Sequence, residues 1–295
     1  MSKFKGDRKK PFIRKEKEEG DKKGKRPAKK NFGKKPFFKK KDEKAEKKTF
    51  ADEGKIRLNR YLANAGICSR READKLIESG VVQINGKVVT ELGTKVEPGD
   101  TVHYGGELIS GEKKQYVLLN KPKDYITTMD DPQKRRTVME LVQKACKERI
   151  YPVGRLDRAT SGLLLLTNDG QLTKRLTHPS SNVRKVYQVT LDKNVNQNHM
   201  IQLVEGVELE DGVSTADKAF YAKDGDKSQV ILELHSGKNR IIRRMMETLG
   251  YKVTKLDRTQ FAGLTKKDLP RGRFRHLSEK EVGLLHRVAG MSPQQ

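Results

Sequence analysis

The feature that most restricts how this chain folds is its first 50 residues. They carry 22 Lys or Arg against 8 Asp or Glu, and no apolar residue among them recurs with the period of a helix or a strand. Such a stretch cannot bury enough surface to offset the entropy of ordering it. Residues 1–54 are therefore expected to be a disordered basic tail, and folding is left to the rest of the 295-residue chain, long enough for two packed domains. That remainder has 42 basic and 31 acidic residues, so tail and folded part both suit a polyanion. Lysine runs interleaved with Phe32, Phe37 and Phe38 fit phosphate neutralisation with occasional base stacking, and a purely solubilising extension is the alternative.

Several classes are disfavoured. There is no run of about 18 apolar residues, and the N-terminus lacks the apolar core of a signal peptide, so a cytoplasmic protein without a membrane partner is expected. Cys68 and Cys146 stand apart, and the six histidines show no HxxxH spacing. Neither a disulfide framework nor a thiolate zinc site is expected, and no metal.

Residues 55–104 read as a small unit. Ile56, Leu58, Tyr61, Leu62 and Ala65 recur near helical spacing up to Gly66. Ser69 with Glu72 forms a capping box for a second helix, whose apolar face is Ala73, Leu76 and Ile77 and whose stop is Gly80. Asn85-Gly86 between two β-branched runs predicts a type I′ hairpin, and a further strand falls at 101–104. The polar face carries Arg57, Arg60, Arg70, Arg71 and Lys75, which spacing alone leaves as either a solvated face or an RNA contact.

Residues 105–114 form a polar, glycine-rich linker, and a second unit spans 115–290. Its most informative stretch is GRLDRATSGLLLLTNDG, residues 154–170. Gly154 and Gly162 bracket a polar loop holding Arg155, Asp157, Arg158, Thr160 and Ser161, and 163–167 reads as a fully buried strand. Cations on both sides of one carboxylate favour the ionised form that a nucleophile requires. An Asp that ties down a turn by pairing with Arg155 or Arg158 is the other reading of the same residues. In HSGKNRIIRRMMETLG, residues 235–250, Ile242, Met245, Met246 and Leu249 make a core seam, with Arg243 beside it and Arg240 and Arg244 expected outside.

GRLDRATSGLLLLTNDG, the K-x-Y strand at Lys185 and Tyr187, and GKNRIIRRM together resemble the ribosomal-RNA pseudouridine synthases of the RsuA and RluB kind. Residues 56–89 resemble the RNA-binding domain shared with a small-subunit ribosomal protein, the S-four domain. The resemblance implies that Asp157 is the catalytic carboxylate, that Tyr187 packs on the target base, that Arg243 pairs with the aspartate and that Arg155 helps displace the target nucleotide. It assigns Lys238 and Arg240 to RNA binding, beside the helical-pair set. The pattern departs at Ile241, where relatives commonly have Gln, and at Asp124, where they commonly have Gly.

The fold implied is α+β: a helical and β RNA-binding domain, then a mixed, mainly antiparallel sheet. Strands are expected near 116–120, 163–167, 184–191, 216–221, 228–234 and 252–259. Helices are expected near 137–147, 171–177, 197–205, 238–249 and 279–288. The activity implied is isomerisation of one uridine to pseudouridine without a cofactor, on ribosomal RNA or an assembly intermediate, 23S before 16S, by a monomer. A non-catalytic ribosome-assembly factor is the rival from another class.

Overall fold

A computed structural model of the chain describes residues 12–13, 55–222 and 225–291. Within the region expected to be a structureless tail, β1 (Phe12–Ile13) pairs antiparallel with the sheet of the second unit, which corrects that expectation at those two positions. The rest of 1–54 lies outside the described residues.

In the first unit, β2 (Ile56–Arg57) leads into α1 (Leu58–Asn64) and α2 (Arg70–Glu78), and the Ser69–Glu72 capping box closes in both directions. Then follow β3 (Val82–Ile84), β4 (Lys87–Val88), β5 (Lys95–Val96), β6 (Val102–Tyr104) and β7 (Glu107–Leu108). Asn85 and Gly86 have φ of 50° and 77°, the two positive values that a type I′ turn needs. Leu58, Leu62, Ala73, Ile77, Val82 and Val102 form the core. Two expectations are corrected. Ile56 and Arg57 pair with β5 and stand outside the helix, because the backbone of the chain entering the domain finds partners there. The expected linker contains β7, so the unit extends past residue 104.

The second unit runs β8 (Tyr116–Lys121), α3 (Val138–Val142), β9 (Tyr151–Pro152), β10 (Ser161–Thr167), α4 (Gly170–Thr177), β11 (Lys185–Leu191) and α5 (Gln197–Glu205). It continues with β12 (Lys218–Tyr221), β13 (Gln229–Leu234), α6 (Ile241–Thr248), β14 (Val253–Phe261), β15 (Leu264–Thr265), β16 (Phe274–His276) and α7 (Glu279–Val288). The main sheet has the order β1-β12-β13-β11-β14-β10-β8-β16, with β15 on β14 and β9 on β10. Every pairing is antiparallel except β10 with β14.

All seven residues of β10 are buried because both faces are covered. Leu163 and Leu165 pack with Leu172 and Leu176 of α4 and Leu285 of α7, whereas Leu164 and Leu166 pack with Val138 and Val142 of α3. Each contributes roughly 2 kcal/mol by burial, which fixes β10 in register and holds the loop before it. Two helices are shorter than the pattern suggested. The expected 137–147 helix is only α3, and α6 starts three residues late because Arg240 adopts a left-handed backbone with φ of 46°.

Candidate active site

The loop before β10 crosses a cavity of about 300 Å³ walled by β11, β13, β14 and the N-terminus of α6. Gly154 turns the chain at φ of 74°, and Gly162 ends the loop at φ of 109°. At Gly162 a Cβ would stand 2.3 Å from the Arg258 carbonyl oxygen and 2.5 Å from its nitrogen, so only glycine lets β10 meet β14 there. Between the glycines the loop is tied down without using the Asp157 side chain. The Thr160 amide donates to the Asp157 carbonyl at 3.0 Å, closing a turn. The Thr127 hydroxyl donates to the Leu156 carbonyl at 2.9 Å, and the Asp124 amide donates to the Arg158 carbonyl at 2.9 Å. Asp124 has φ of 67°, which explains why the departure from glycine is tolerated.

Arg158 pairs with Asp124 at 3.1 Å, not with Asp157. The carboxylate of Asp157 is 37% exposed at the cavity wall, and its ion partner is Arg240, Nη1 to Oδ2 at 3.8 Å. Two expectations change here. Arg243, expected to hold the aspartate, is buried and donates from Nη1 to the Val253 carbonyl at 3.0 Å and from Nη2 to the Ala159 carbonyl at 3.5 Å. It thus clamps the loop's backbone to β14, and no ion pair within 4 Å joins it to Asp157. Burial lowers its pKa, Arg240 adds repulsion, and Asp157 opposes both. Arg240, expected outside, is turned toward the carboxylate by its left-handed backbone, a conformation that costs a side-chain-bearing residue about 1–2 kcal/mol.

Tyr187 of β11 is half-buried on the cavity wall, packed against both apolar clusters that meet there, and Arg155 is exposed at the rim. Ile241 contributes apolar wall. Lys238 reaches the cavity but is held by the Asp211 carbonyl at 3.4 Å and the Ser214 hydroxyl at 3.3 Å. Arg244 is away from the site, bidentate on Asp211 at 2.9 and 3.0 Å. The helical-pair set is split between two surroundings. Arg70, Arg71 and Lys75 of α2 are exposed, Arg57 lies on β2, and half-buried Arg60 of α1 acts on Tyr151 of the second unit, whose pKa is raised by burial and Asp169 with Arg60 opposing.

Three cations have a place at the site to which the sequence gives no role. Lys121, fully buried at the end of β8, donates to the carbonyls of Pro122 at 3.0 Å and Arg158 at 3.4 Å; burial takes its pKa down to about 8 against the pull of Asp124 and Asp157. Lys185 lines the cavity with its Nζ on the His235 carbonyl at 2.6 Å, and burial with help from Arg258 takes its pKa to about 8. Arg258 donates from Nε to the Leu163 carbonyl at 2.8 Å and stacks 4.6 Å from the Phe261 ring, leaving Nη2 buried and unpartnered. The i, i+2 spacing from Tyr187 signals Lys185; Arg258 lies in a strand whose sequence reveals no such role.

A cavity lined by one carboxylate, an aromatic ring and several cations suits attack on, or charge stabilisation at, a sugar carbon joined to a planar base. The family model of RNA pseudouridylate synthases matches residues 115–248, and that of the S4 domain matches 56–102. The chain is 41% identical over 237 residues to a Bacillus subtilis "Ribosomal large subunit pseudouridine synthase B", covering 79% of this chain and 96% of the relative. It is 36% identical to an Escherichia coli "Dual-specificity RNA pseudouridine synthase RluF", with 78% of each covered. Among solved structures, one titled "Crystal structure of pseudouridylate synthase" superposes with a TM-score of 0.55 at 31% identity, over 78% of this chain and 99% of that one. The protein therefore belongs to the RNA pseudouridylate synthases, and within them to the S4-bearing group of RsuA and RluB.

Proposed function

We propose that this enzyme converts one specific uridine of ribosomal RNA, in the large subunit, to pseudouridine, with Asp157 as its catalytic carboxylate. The observation that carries the reading is the Asp157 carboxylate, freed from loop-tying duties and presented to the cavity that Tyr187 also lines. The relatives named for ribosomal large-subunit modification support the choice of RNA.

A stacked base cannot turn, so the target nucleotide is flipped into the cavity at a cost of a few kcal/mol. Arg155, exposed at the rim, fills the space left in the helix. As the N1–C1′ bond breaks, its electron pair stays on uracil and the ribose becomes electron-poor. Asp157 meets that deficit by bonding to C1′ or by taking the C2′ proton. The uracil turns while stacked on Tyr187, C5 bonds to C1′, the C5 proton leaves and N1 takes one up, so the reaction is an isomerisation with no net redox change. Arg243 keeps the loop on β14, and Arg240 faces the carboxylate. Arg70, Arg71 and Lys75 contact phosphates and set orientation without reading sequence. Mapping pseudouridine across ribosomal RNA from cells with and without the gene tests the proposal. Loss of one large-subunit site on deletion is expected, and an unchanged map refutes it.

A further inference from the structure

We propose that Lys185 is a catalytic residue that receives the negative charge left on uracil when its glycosidic bond breaks. The proposal rests on the reading of Asp157 and Tyr187 given above and extends it to the leaving group.

Heterolysis of the N1–C1′ bond makes two charges. The positive one, on the ribose, is met by Asp157. The negative one spreads over N1, O2 and O4 of the detached ring, and an enzyme gains most by fixing a donor where that charge develops. Lys185 and Tyr187 are two residues apart on β11 and both line the cavity, their Cα atoms roughly 7 Å apart along the strand. A ring stacked on Tyr187 therefore has its edge within reach of the ammonium. Lys185 is itself anchored. Its Nζ donates to the His235 carbonyl at 2.6 Å, and the His235 ring is held by Asp217 through Nδ1 at 2.7 Å. That uses one of three N–H donors, and no second acceptor among the described residues takes another.

The surroundings are short of negative charge. Arg258 on β14 is the neighbouring like charge, with its own Nη2 unpartnered, while Asp217 ahead of β12 is engaged by His235. Glu233 on β13 is engaged by Arg184 and Lys218. Asp157, Lys238 and Arg240 line the same cavity, with the carboxylate paired to Arg240 at 3.8 Å. Removal from water lowers the Lys185 pKa to about 8, so the ammonium form is costly in the empty cavity and gains most from an anion arriving there. The site thus has a carboxylate wall for the sugar and a cationic floor for the base. During cleavage the proton stays on Nζ; it is shared by hydrogen bond with the uracil anion and is withdrawn when C5 rejoins C1′.

The test compares Lys185→Met, Lys185→Gln and Lys185→Arg with wild type in single turnover. The substrates are large-subunit RNA and partly assembled particles lacking the modification, containing uridine or 5-fluorouridine. Fluorine withdraws electrons, so its uracil leaves with less help. The Met and Gln variants should consume uridine about 100-fold more slowly, as for loss of one transition-state donor, and 5-fluorouridine no more than about 10-fold more slowly. Arg should restore most of the rate. In wild type, kcat/KM should fall as pH rises through about 8 and Lys185 loses its proton, whereas the Arg variant should lack that limb. Equal slowing on both substrates, or a Met variant within about threefold of wild type, overturns the leaving-group role while leaving the assignment of Asp157 standing. A wild-type protein that forms no pseudouridine from uridine overturns the functional reading and this one with it.

Discussion

Replacing Gly162 by Ala isolates the contact that sets the position of the Asp157 loop. The new Cβ would lie 2.3 Å from the Arg258 oxygen, 2.5 Å from the Arg258 nitrogen and 2.6 Å from Oδ1 of Asp257, the residue paired with Ser161 across the β10–β14 ladder. Two of the three are backbone atoms of the adjacent strand, so no rotamer change removes the clash. Overpacking of this kind costs about 1–3 kcal/mol, and the positive φ of 109° adds about 1–3 kcal/mol for a residue with a side chain. A total of about 2–6 kcal/mol converts to a fall in Tm of roughly 4–24 °C for a chain of this size. Gly154→Ala is the matched control. It is strained at φ of 74° too, but its Cβ would meet only the Thr177 methyl at an ordinary 3.6 Å, so about 1–2 kcal/mol is expected. Because Arg258 also floors the cavity, Gly162→Ala should lower kcat about 100-fold even where the variant is fully folded, as misplacement of about 1 Å does. Calorimetry and single-turnover assays at 20 °C measure both. A Gly162→Ala protein melting within about 3 °C of wild type would refute the reasoning.

Four further outcomes are expected. Asp157→Asn should abolish pseudouridine formation while RNA affinity, measured by filter binding, changes less than about threefold; substantial turnover would remove Asp157 from the mechanism. Arg243→Met strips a donor from the carbonyls of Val253 and Ala159 and should cost about 1–3 kcal/mol in urea unfolding, whereas Arg240→Gln, losing only a half-exposed pair, should cost under about 1 kcal/mol. Since Lys121 titrates near 8 when folded and near 10.5 when unfolded, the unfolded chain binds more protons between those values, so wild type should gain stability relative to Lys121→Met as pH rises from 8 to 10; parallel curves would contradict this. Deleting residues 1–50, with their 22 basic side chains, should weaken RNA binding and flatten its salt dependence without changing the uridine modified, and a changed site would give the tail a part in selection.

What the sequence reveals well is whatever depends on neighbours in the chain. Asn85-Gly86, the Ser69 capping box and the 163–167 apolar run are local signals, and each stands in the structure where its residues predict it. The glycine-flanked stretch around Asp157 leaves it as either a nucleophile or a turn tie, and only the family resemblance of that stretch singles it out. What escapes is decided by distant partners. Helical periodicity through 238–249 gives no hint that Arg240 leaves the helix for a left-handed backbone, and without that turn the choice between Arg240 and Arg243 at the carboxylate cannot be made. Lys121, Lys185 and Arg258 are ordinary basic residues in β8, β11 and β14 until the sheet order places Lys185 and Arg258 on the cavity and Lys121 under its loop. The pairing of β7 and of β2 likewise depends on edges that only the folded unit presents.

The balance of charge around the cavity explains why its one ion pair is loose. Asp157 is the only acidic side chain on the wall among the described residues, against Arg155, Lys185, Lys238, Arg240 and Arg258. A tight, buried pair would hold the carboxylate away from a sugar carbon and would have to be broken in every turnover, at a cost of several kcal/mol. A pair at 3.8 Å with both members more than a third exposed is worth at most about 1 kcal/mol, so an entering nucleotide can displace it readily. The cations left in excess repel one another in the empty enzyme, and the Arg240 charge already acts on Arg243 in that way. RNA phosphate and, during reaction, the uracil anion supply the missing negative charge. The strain is thus relieved by substrate in two stages, first by the backbone at the rim and then by the base on the floor, which makes binding and bond cleavage the two steps that this arrangement favours.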